Sequence, residues 1–373
     1  MKIVYFCSSL TIVGGYARVI TLKANYLADV YGYDVIVITV DDGYELPYKL
    51  SSKVKHIDLG IKVYCLSMFN PRRLINTIRL FFKLKKVLLK EKADYVSSHV
   101  LNEALLLLKI KDGSRKIIEA HFPYVAEERF FETFSGKVSF ILKRALVKGC
   151  DEFVTLTRKD AECWNRVRND IIVIPNPTVL PFFNKNPVKY KQIITVGRLA
   201  KQKGYDILVD IWKIVADRHP DWKLVIYGDG ECRTELEEKI KKNNLADSFI
   251  LAGFTNDVYS KMQESAMFVM SSRFEGYPMA LIEAMACGLP CVSFDIHCGP
   301  SDIINDGVNG FLVEFNDIRG MADKIMLLIE NTDLLSDMSR YGIEKSKSFD
   351  INIVMKKWEQ LLCTFNMKKD GNK

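Results

Sequence analysis

The sequence lacks any hydrophobic run long enough to cross a membrane. None of its segments reaches the roughly 18 consecutive apolar residues that a spanning helix needs. Lys2 precedes an apolar start, but Ser8 and Ser9 interrupt it, and Gly14-Gly15 then open a helical pattern. This pattern is typical of a buried first strand rather than of a signal peptide. We therefore expect a cytoplasmic chain, held at a membrane at most peripherally.

Metal-binding and redox spacings are also missing. Nine cysteines are scattered along the chain, and no two of them form a C-x-x-C pair. Cys287, Cys291, His297 and Cys298 cluster, but their spacing matches no zinc motif. No Asp-x-Asp motif stands at a predicted strand end, since Asp41–Asp42 lies elsewhere. We expect reduced thiols, no metal and no cofactor.

Signatures of nucleic-acid and dinucleotide binding are absent too. The net charge of +7 is moderately basic and favours anionic ligands or a membrane surface. There is no arginine-rich block, no RNP-like aromatic motif and no finger spacing, so we expect no nucleic acid as a partner. The first glycine loop lacks the full G-x-G-x-x-G, which sets a dinucleotide oxidoreductase aside.

What the chain does contain is a regular alternation of short apolar runs and amphipathic segments. This alternation predicts parallel sheets covered by helices. The predicted strands are Lys2–Cys7, Asp34–Val40, Val54–Asp58, Ala93–His99, Arg115–His121, Glu152–Thr157, Ile171–Ile174, Gln192–Val196, Lys223–Tyr227, Ser248–Leu251, Ala266–Met270, Cys291–Phe294 and Phe311–Glu314.

The 373 residues exceed the roughly 250–300 at which a single core stops growing. Prolines and asparagines crowd together near residue 180, which is typical of a linker. We predict an α/β protein of two doubly wound Rossmann-like domains that face each other across a cleft. The predicted parts are a first domain at 1–174, a linker at 175–189, a second domain at 190–349 and a closing helix at 350–366.

Residues 273–288 carry the most informative pattern. Glu275 and Glu283 stand eight positions apart, and between them a loop becomes a helix. Pro278 suits the first helical position, and Gly288 suits the stop. Free N–H groups with the helix dipole behind them form an anion site. The predicted donors are the N–H groups of Gly276, Tyr277, Met279 and Ala280.

A carboxylate beside an anion site repels phosphate unless it binds something polar and neutral. Sugar hydroxyls meet that condition, and a nucleotide sugar supplies both the phosphate and the hydroxyls. The alternative is that Glu275 and Glu283 are ordinary solvated residues.

Two other loops of the second half support a donor site. Arg198 and Lys203 follow the first strand of the second domain and suit a diphosphate, unless this is simply a solvated basic loop. After the third strand, Gly253 and Phe254 offer main-chain groups and a ring edge to a base.

The first half contributes glycines and histidines. Gly14 and Gly15 allow a close approach of backbone to phosphate, although a plain tight turn explains them equally well. His121 ends a strand and suits a sugar hydroxyl, and His99 ends the preceding strand on the acceptor side. A lone histidine in such a place is more often structural.

Three segments together resemble family 4 retaining glycosyltransferases of the GT-B fold. They are Gly-Arg-Leu-x-x-Gln-Lys-Gly from 197, the Glu-x7-Glu pair of 275 and 283, and Gly-Pro-Ser-Asp-Ile-Ile from 299. The resemblance implies that Arg198 and Lys203 hold the donor diphosphate, that Glu283 takes the ribose and that Glu275 contacts the sugar. It also implies a catalytic role for His121 beside Glu275, and a last helix that returns to the first domain.

Residues 72–92 form a basic amphipathic pattern. The predicted apolar stripe faces the core and consists of Leu74, Ile75, Ile78, Phe81, Phe82, Leu88 and Leu89. The basic side is expected to be merely solvated or to meet anionic lipid headgroups.

The sequence thus predicts a retaining, metal-independent hexosyltransferase of polysaccharide or glycolipid synthesis. We expect it to move a hexose or N-acetylhexosamine from a UDP-sugar to a glycan acceptor on a lipid carrier at an anionic membrane surface. The alternatives are transfer to a soluble acceptor or protein, and a non-catalytic subunit that binds nucleotide sugar.

Overall fold

Two separate parallel sheets organise this protein. Its computed structural model describes residues 1–11, 14–40, 43, 45–61, 71–99, 101–121, 123–124, 134–180 and 190–370. The chain divides into a first unit, Met1–Pro177 with Met355–Lys373, and a second unit, Thr178–Val354. The division falls inside the segment 175–189. Residues 181–189 of that segment and the pair Asp41–Asp42 lie outside the described residues.

The sheet of the first unit has the strand order β3-β2-β1-β4-β5-β6-β7, and every pair in it is parallel. Its strands are β1 (Lys2–Cys7), β2 (Asp34–Thr39), β3 (Val54–Asp58), β4 (Tyr95–Ser98), β5 (Arg115–Ala120), β6 (Glu152–Thr155) and β7 (Ile172–Val173). Its helices are α1 (Gly15–Asp29), α2 (Pro71–Glu91), α3 (Leu101–Leu108), α4 (Phe134–Gly149) and α5 (Arg158–Trp164).

The sheet of the second unit has the order β10-β9-β8-β11-β12-β13 and is also parallel. Its strands are β8 (Gln192–Val196), β9 (Lys223–Tyr227), β10 (Phe249–Gly253), β11 (Met267–Met270), β12 (Cys291–Asp295) and β13 (Gly310–Glu314). Its helices are α6 (Tyr205–Arg218), α7 (Arg233–Lys242), α8 (Val258–Gln263), α9 (Met279–Ala286), α10 (Pro300–Ile303), α11 (Ile318–Glu330) and α12 (Thr332–Lys347). Helix α13 (Ile351–Asp370) follows and runs on into the first unit.

Both sheets place their ligand-binding loops by the same rule. In an open parallel sheet, the crevice lies at the carboxyl ends of the strands where the strand order reverses. That point falls between β1 and β4 in the first sheet and between β8 and β11 in the second. The loops at these two points contain Gly14, His99, Lys203 and Glu275.

The buried face of α2 differs from the predicted one. Leu80, Leu84 and Leu88 are fully buried and join the core with β1 and β2. Five residues of the predicted core stripe are exposed instead, namely Leu74, Ile75, Ile78, Phe82 and Leu89. The helix carries two apolar stripes, and the leucines spaced four residues apart form the tighter one. The prediction was wrong for these five residues, whereas Leu88 of the predicted stripe is buried and Phe81 packs against the core.

Helix α13 packs on the first sheet through its middle turns. Trp358 and Leu362 are buried, and the Tyr95 hydroxyl on β4 donates to the Leu362 carbonyl at 2.7 Å. In the part of the chain that the structure describes, no helix is both long enough and apolar enough to span a bilayer.

Candidate active site

The loop after β8 is fastened to the loop after β11. Gly204 has a φ of +65°, and a Cβ placed there would stand 2.1 Å from the Ser271 carbonyl oxygen. Only glycine tolerates both the backbone conformation and this approach. The Ser271 hydroxyl in turn donates to the Lys203 carbonyl at 3.0 Å. The two loops are therefore held at close backbone distance.

Arg273 adds further contacts between the loop after β11 and the loop after β8. Its backbone N–H donates to the Gln202 carbonyl at 2.7 Å, and its guanidinium forms two 2.7 Å bonds to the carboxylate of Asp206. A third bond runs to the Lys201 carbonyl. The hydrogen bonds from Arg273 hold the pKa of Asp206 below its ordinary value. The sequence analysis assigned no role to Arg273 or Asp206. The arginine directly before the Phe-Glu-Gly loop was the available signal.

The fastened loops bring Lys203 and Glu275 together. The Lys203 ammonium lies 2.7 Å from Glu275 Oε1, and the Ser272 hydroxyl donates to the same oxygen at 2.7 Å. Glu275 is only 8% exposed, whereas Arg198, which shares the loop after β8 with Lys203, is exposed. The predicted diphosphate ligand and the predicted sugar ligand are thus direct partners.

Helix α9 begins one residue later than predicted, because Pro278 precedes its first turn and Met279 starts it. The Met279 N–H donates to the Tyr277 carbonyl at 2.9 Å, so it is not the free donor that was expected. Within the described residues, no backbone carbonyl accepts a hydrogen bond from the N–H groups of Gly276, Tyr277 and Ala280. Glu283 lies on α9 and is buried, and Gly288 follows the helix end with a φ of +73°.

The neighbouring loops of the second sheet also converge. The Gly228 N–H donates to the Gly253 carbonyl at 2.8 Å, and a Cβ on Gly228 would stand 2.0 Å from the Gly197 carbonyl oxygen. Phe254 is 69% exposed beside them. Gly299 approaches Pro278, since a Cβ there would lie 2.4 Å from the proline Cδ. This glycine therefore allows a close approach to the turn before α9.

A cavity of about 280 Å³ lies on another side of the fastened loops. Its lining includes Tyr205, Cys232, Leu236 and the Asp206–Arg273 ion pair. None of the predicted donor contacts lines it.

In the first unit, α1 begins at Gly15, and Gly14 stands before it as the cap residue. A Cβ on Gly14 would meet nothing within 4 Å, so packing inside the protein does not require this glycine. His99 and His121 follow β4 and β5, and their ring centroids lie 4.8 Å apart. The structure thus places the two predicted histidines together.

A buried glutamate that the sequence analysis missed joins the histidines. Glu119 Oε1 lies 3.1 Å from His99 Nε2, and Glu119 Oε2 lies 3.6 Å from His121 Nε2. Lys23 of α1 forms an ion pair with Glu119, and the Ser97 hydroxyl donates to Glu119 at 2.6 Å. In the sequence, Glu119 occupies an ordinary core position of a strand. The available signal was its place between two histidines.

One ligand atom from each of His99, Glu119 and His121 lies within 4.8 Å of the others, a spacing that a metal ion could use. However, the Lys23 ammonium already contacts the Glu119 carboxylate. Its positive charge opposes a divalent cation at the same oxygen. We assign no metal to this group.

The cysteines in the described part of the chain form no disulfide, and Cys287, Cys291 and Cys298 are buried. Cys65 lies outside the described residues.

Comparison with known proteins identifies the family of this chain. The profile of the glycosyl transferases group 1 matches residues 178–345, and that of glycosyltransferase family 4 matches residues 13–180. An uncharacterized glycosyltransferase of Haemophilus influenzae is 30% identical over 366 residues, which cover 97% of this chain and 99% of the relative.

A Campylobacter jejuni relative is 24% identical, with 97% of this chain and 98% of the relative covered. Its name describes an α-1,4-N-acetyl-D-galactosaminyltransferase that acts on a diNAcBac-PP-undecaprenol glycan. Among solved structures, S. aureus TarM in complex with UDP, fondaparinux and α-GlcNAc-glycerol aligns with a TM-score of 0.80. That match has 17% identity and covers 97% of this chain and 99% of TarM.

The fold class and the family resemblance predicted from the sequence are confirmed: this chain belongs to the family 4 glycosyltransferases of the group 1 type and has the GT-B fold.

Proposed function

We propose that this protein is a retaining glycosyltransferase that moves a hexose or N-acetylhexosamine from a UDP-sugar to a lipid-linked glycan. The observation that carries this proposal is the group of Lys203, Glu275 and Ser272 at the switch point of the second sheet. It places a cation for the diphosphate beside a buried carboxylate for the sugar. The names of the relatives support a role of this protein in the synthesis of bacterial polysaccharide or glycolipid.

The transfer breaks the bond between the anomeric carbon and the diphosphate oxygen. An acceptor hydroxyl forms the new bond, and its proton leaves with the diphosphate. Arg198, Lys203 and the N–H groups of Gly276, Tyr277 and Ala280 would stabilise the charge that develops on the leaving group. Glu283 would bind the ribose hydroxyls, and Glu275 would hold the sugar.

These cations also support the proposal that no metal ion is needed. Two basic side chains and a helix N-terminus supply the positive charge that a divalent cation provides elsewhere. EDTA should therefore leave UDP-sugar turnover unchanged. A tenfold loss that Mg²⁺ or Mn²⁺ restores would contradict this part.

The Campylobacter relative's lipid-diphosphate acceptor supports a lipid-linked acceptor for this chain. The UDP bound by TarM supports UDP as the nucleotide. His121 would accept a hydrogen bond from a hydroxyl of the donor sugar, Gly14 and Gly15 would lie against the phosphates, and Gly253 and Phe254 would lie at the base. The side chain of His99 is fully buried, so we do not propose the contact between His99 and the acceptor that the sequence suggested.

The outer face of α2 supports a peripheral attachment to membrane at the cytoplasmic side. Leu74 and Phe82 are 67% and 63% exposed, and Ile75, Ile78 and Leu89 share their side of the helix. Basic residues flank this apolar stripe, namely Arg72, Arg79, Lys86 and Lys90. An exposed apolar stripe beside a basic row suits an interfacial helix on anionic lipid.

The catalytic proposal is tested with purified protein and a panel of nucleotide sugars. One nucleotide sugar should raise the melting temperature and should be hydrolysed slowly without acceptor. NMR of the product formed on a lipid-linked acceptor should show the anomeric configuration of the donor. Binding without any hydrolysis or transfer would favour the non-catalytic subunit, and transfer only to soluble acceptors would reject the lipid-linked one.

The membrane proposal is tested by sedimentation with liposomes. Each basic residue near an anionic surface is worth about 1 kcal/mol, and screening acts over about 8 Å at physiological salt. Binding should be strong on acidic liposomes at low salt and nearly absent on neutral ones. Replacing Arg79, Lys86 and Lys90 with glutamine should weaken it without changing UDP-sugar hydrolysis, whereas Lys83 donates to the Leu59 carbonyl and is left in place. Equal sedimentation with acidic and neutral liposomes would reject the attachment.

A further inference from the structure

A closed polar cluster lies behind His121 in the first unit. It consists of Lys23, Ser97, His99, Glu119 and His121, and we call it the Glu119 cluster. Glu119 is at its centre, because all four other side chains approach its carboxylate within 3.6 Å. Its members come from α1, β4 and β5 and from the ends of both strands.

The charge in this cluster is balanced internally. The side chains of Lys23 and Glu119 are each only 1% exposed, and they contact each other directly. Trp358 of α13 covers the ammonium, with its ring centroid 3.7 Å from Lys23 Nζ, and the Tyr5 ring lies 5.4 Å away. Removing either charge alone would leave the other buried and unpaired, which is strongly destabilising.

Both histidines are neutral in this environment. Burial lowers the pKa of His99 to about 4 and also lowers that of His121, against the attraction of Glu119. Burial also lowers the pKa of Lys23, and the ion pair opposes that shift. Burial would raise the pKa of Glu119, but its contacts with His99 and His121 and the charge of the Lys23 ammonium hold that pKa well below the usual range, so the carboxylate is ionised.

An ionised carboxylate only accepts hydrogen bonds, so it favours the tautomer whose N–H faces it. Nε2 is the nitrogen that lies nearest Glu119 in both rings, at 3.1 Å in His99 and 3.6 Å in His121, although neither contact has hydrogen-bond geometry in this structure. Nδ1 of each ring then keeps its lone pair. The Tyr16 ring packs edge-on against both imidazoles, with centroids at 6.0 and 5.8 Å, and restricts their rotation.

The two histidines differ in access. The side chain of His99 is 0% exposed and that of His121 is 6% exposed. His121 is therefore the member of the cluster that can meet a ligand, with a nitrogen that accepts.

We propose that Glu119 is a positioning residue that holds His121 as the Nε2–H tautomer, so that Nδ1 accepts a hydrogen bond from a hydroxyl of the donor sugar. Lys23 supplies the counter-charge that keeps Glu119 ionised in the core, and Trp358 shields that pair from water. The ligand side of this inference rests on the proposed function, whereas the tautomer does not.

The tautomer is measured by NMR on the full chain labelled with ¹⁵N-histidine. The sequence contains only five histidines, so His99→Asn and His121→Asn variants assign both signals. His121 should show a protonated Nε2 and a bare Nδ1 from pH 6 to 8. Rapid exchange between tautomers at His121, or an Nδ1–H form, would overturn the proposal. So would a shift of both histidines on addition of Zn²⁺ alone, because the cluster would then be a metal site.

The role in the reaction is measured with charge-balanced variants. Glu119→Gln alone leaves the buried Lys23 ammonium without its counter-charge. The informative variant is therefore the double substitution Lys23→Met with Glu119→Gln. The matched control is Lys23→Arg, which keeps the charge pair. We expect the double variant to fold, to lose the fixed tautomer and to lower kcat at least tenfold, with KM for the donor changed less than twofold.

Unchanged kcat in a folded double variant that has lost the tautomer would overturn the role of Glu119. If the wild-type protein turns over no nucleotide sugar, the proposed function fails. The NMR result then still decides whether Glu119 holds His121.

Discussion

The contact between Lys203 and Glu275 changes what single substitutions should do. Lys203→Ala should weaken the binding of UDP and of the UDP-sugar alike, because both contain the diphosphate. A charge-assisted contact contributes about 1.5–3 kcal/mol, which corresponds to roughly a tenfold to hundredfold loss of affinity. Isothermal calorimetry measures both ligands.

Glu275→Gln should have the opposite signature. The substitution releases the Lys203 ammonium from a partner at 2.7 Å. UDP affinity should then stay equal or rise, while turnover falls sharply because the sugar loses its carboxylate contact.

Glu283→Gln should weaken the binding of UDP itself, because the ribose loses a contact. Glu238 is exposed, and Glu238→Gln serves as the matched control. Equal losses of UDP affinity at positions 275 and 283 would contradict the separate roles.

At the scale of elements, α2 offers a test of its two apolar stripes. Leu84 is fully buried, and replacing it with alanine should lower the free energy of unfolding by about 2–5 kcal/mol. Phe82 is 63% exposed, and Phe82→Ser should change stability by no more than about 0.5 kcal/mol while weakening liposome binding. Urea unfolding and sedimentation measure the two effects. A large loss of stability from Phe82→Ser would mean that the predicted stripe does face the core.

The existence of the strands was predictable from sequence, and so were both ends of several, such as Lys2–Cys7 and Gln192–Val196, whereas other ends were not. The predicted strand Arg115–His121 ends at Ala120 in the structure, and Glu152–Thr157 ends at Thr155. Apolar runs reveal a buried strand, but the last ladder bond depends on the neighbouring strand. For α2, helical periodicity allowed two apolar faces, and only the contact with β1 and β2 decided which one is buried.

At the scale of the whole molecule, α13 links the two units through the chain itself. Its first four residues, Ile351–Val354, belong to the second unit, and the rest belong to the first. Trp358→Ala should destabilise the first unit, since deletion of a buried tryptophan costs about 3–5 kcal/mol. UDP binding, which we assign to the second unit, should be retained.

Hydrogen exchange followed by mass spectrometry resolves the two units in one experiment. Trp358→Ala should reduce protection in β1, β4 and β5 and leave β8 to β13 unchanged. The exposed Lys357→Ala is the matched control on the same helix. Loss of protection spread equally over both sheets would contradict the assignment of α13 to the first unit.

The sequence by itself determined the α/β class, the family and the short loops that carry its motif. These features depend on local spacing, such as Glu275 and Glu283 around one helix start, and local spacing is written in the chain. Tertiary structure alone decided that Lys203 pairs with Glu275, that Arg273 fastens their loops through Asp206, and that Glu119 joins His99 to His121. Lys203 and Glu275 are 72 residues apart in the chain, and Lys23 and Glu119 are 96 apart. Contacts over such separations exist only once parallel strands have brought their carboxyl ends to the same edge of a sheet.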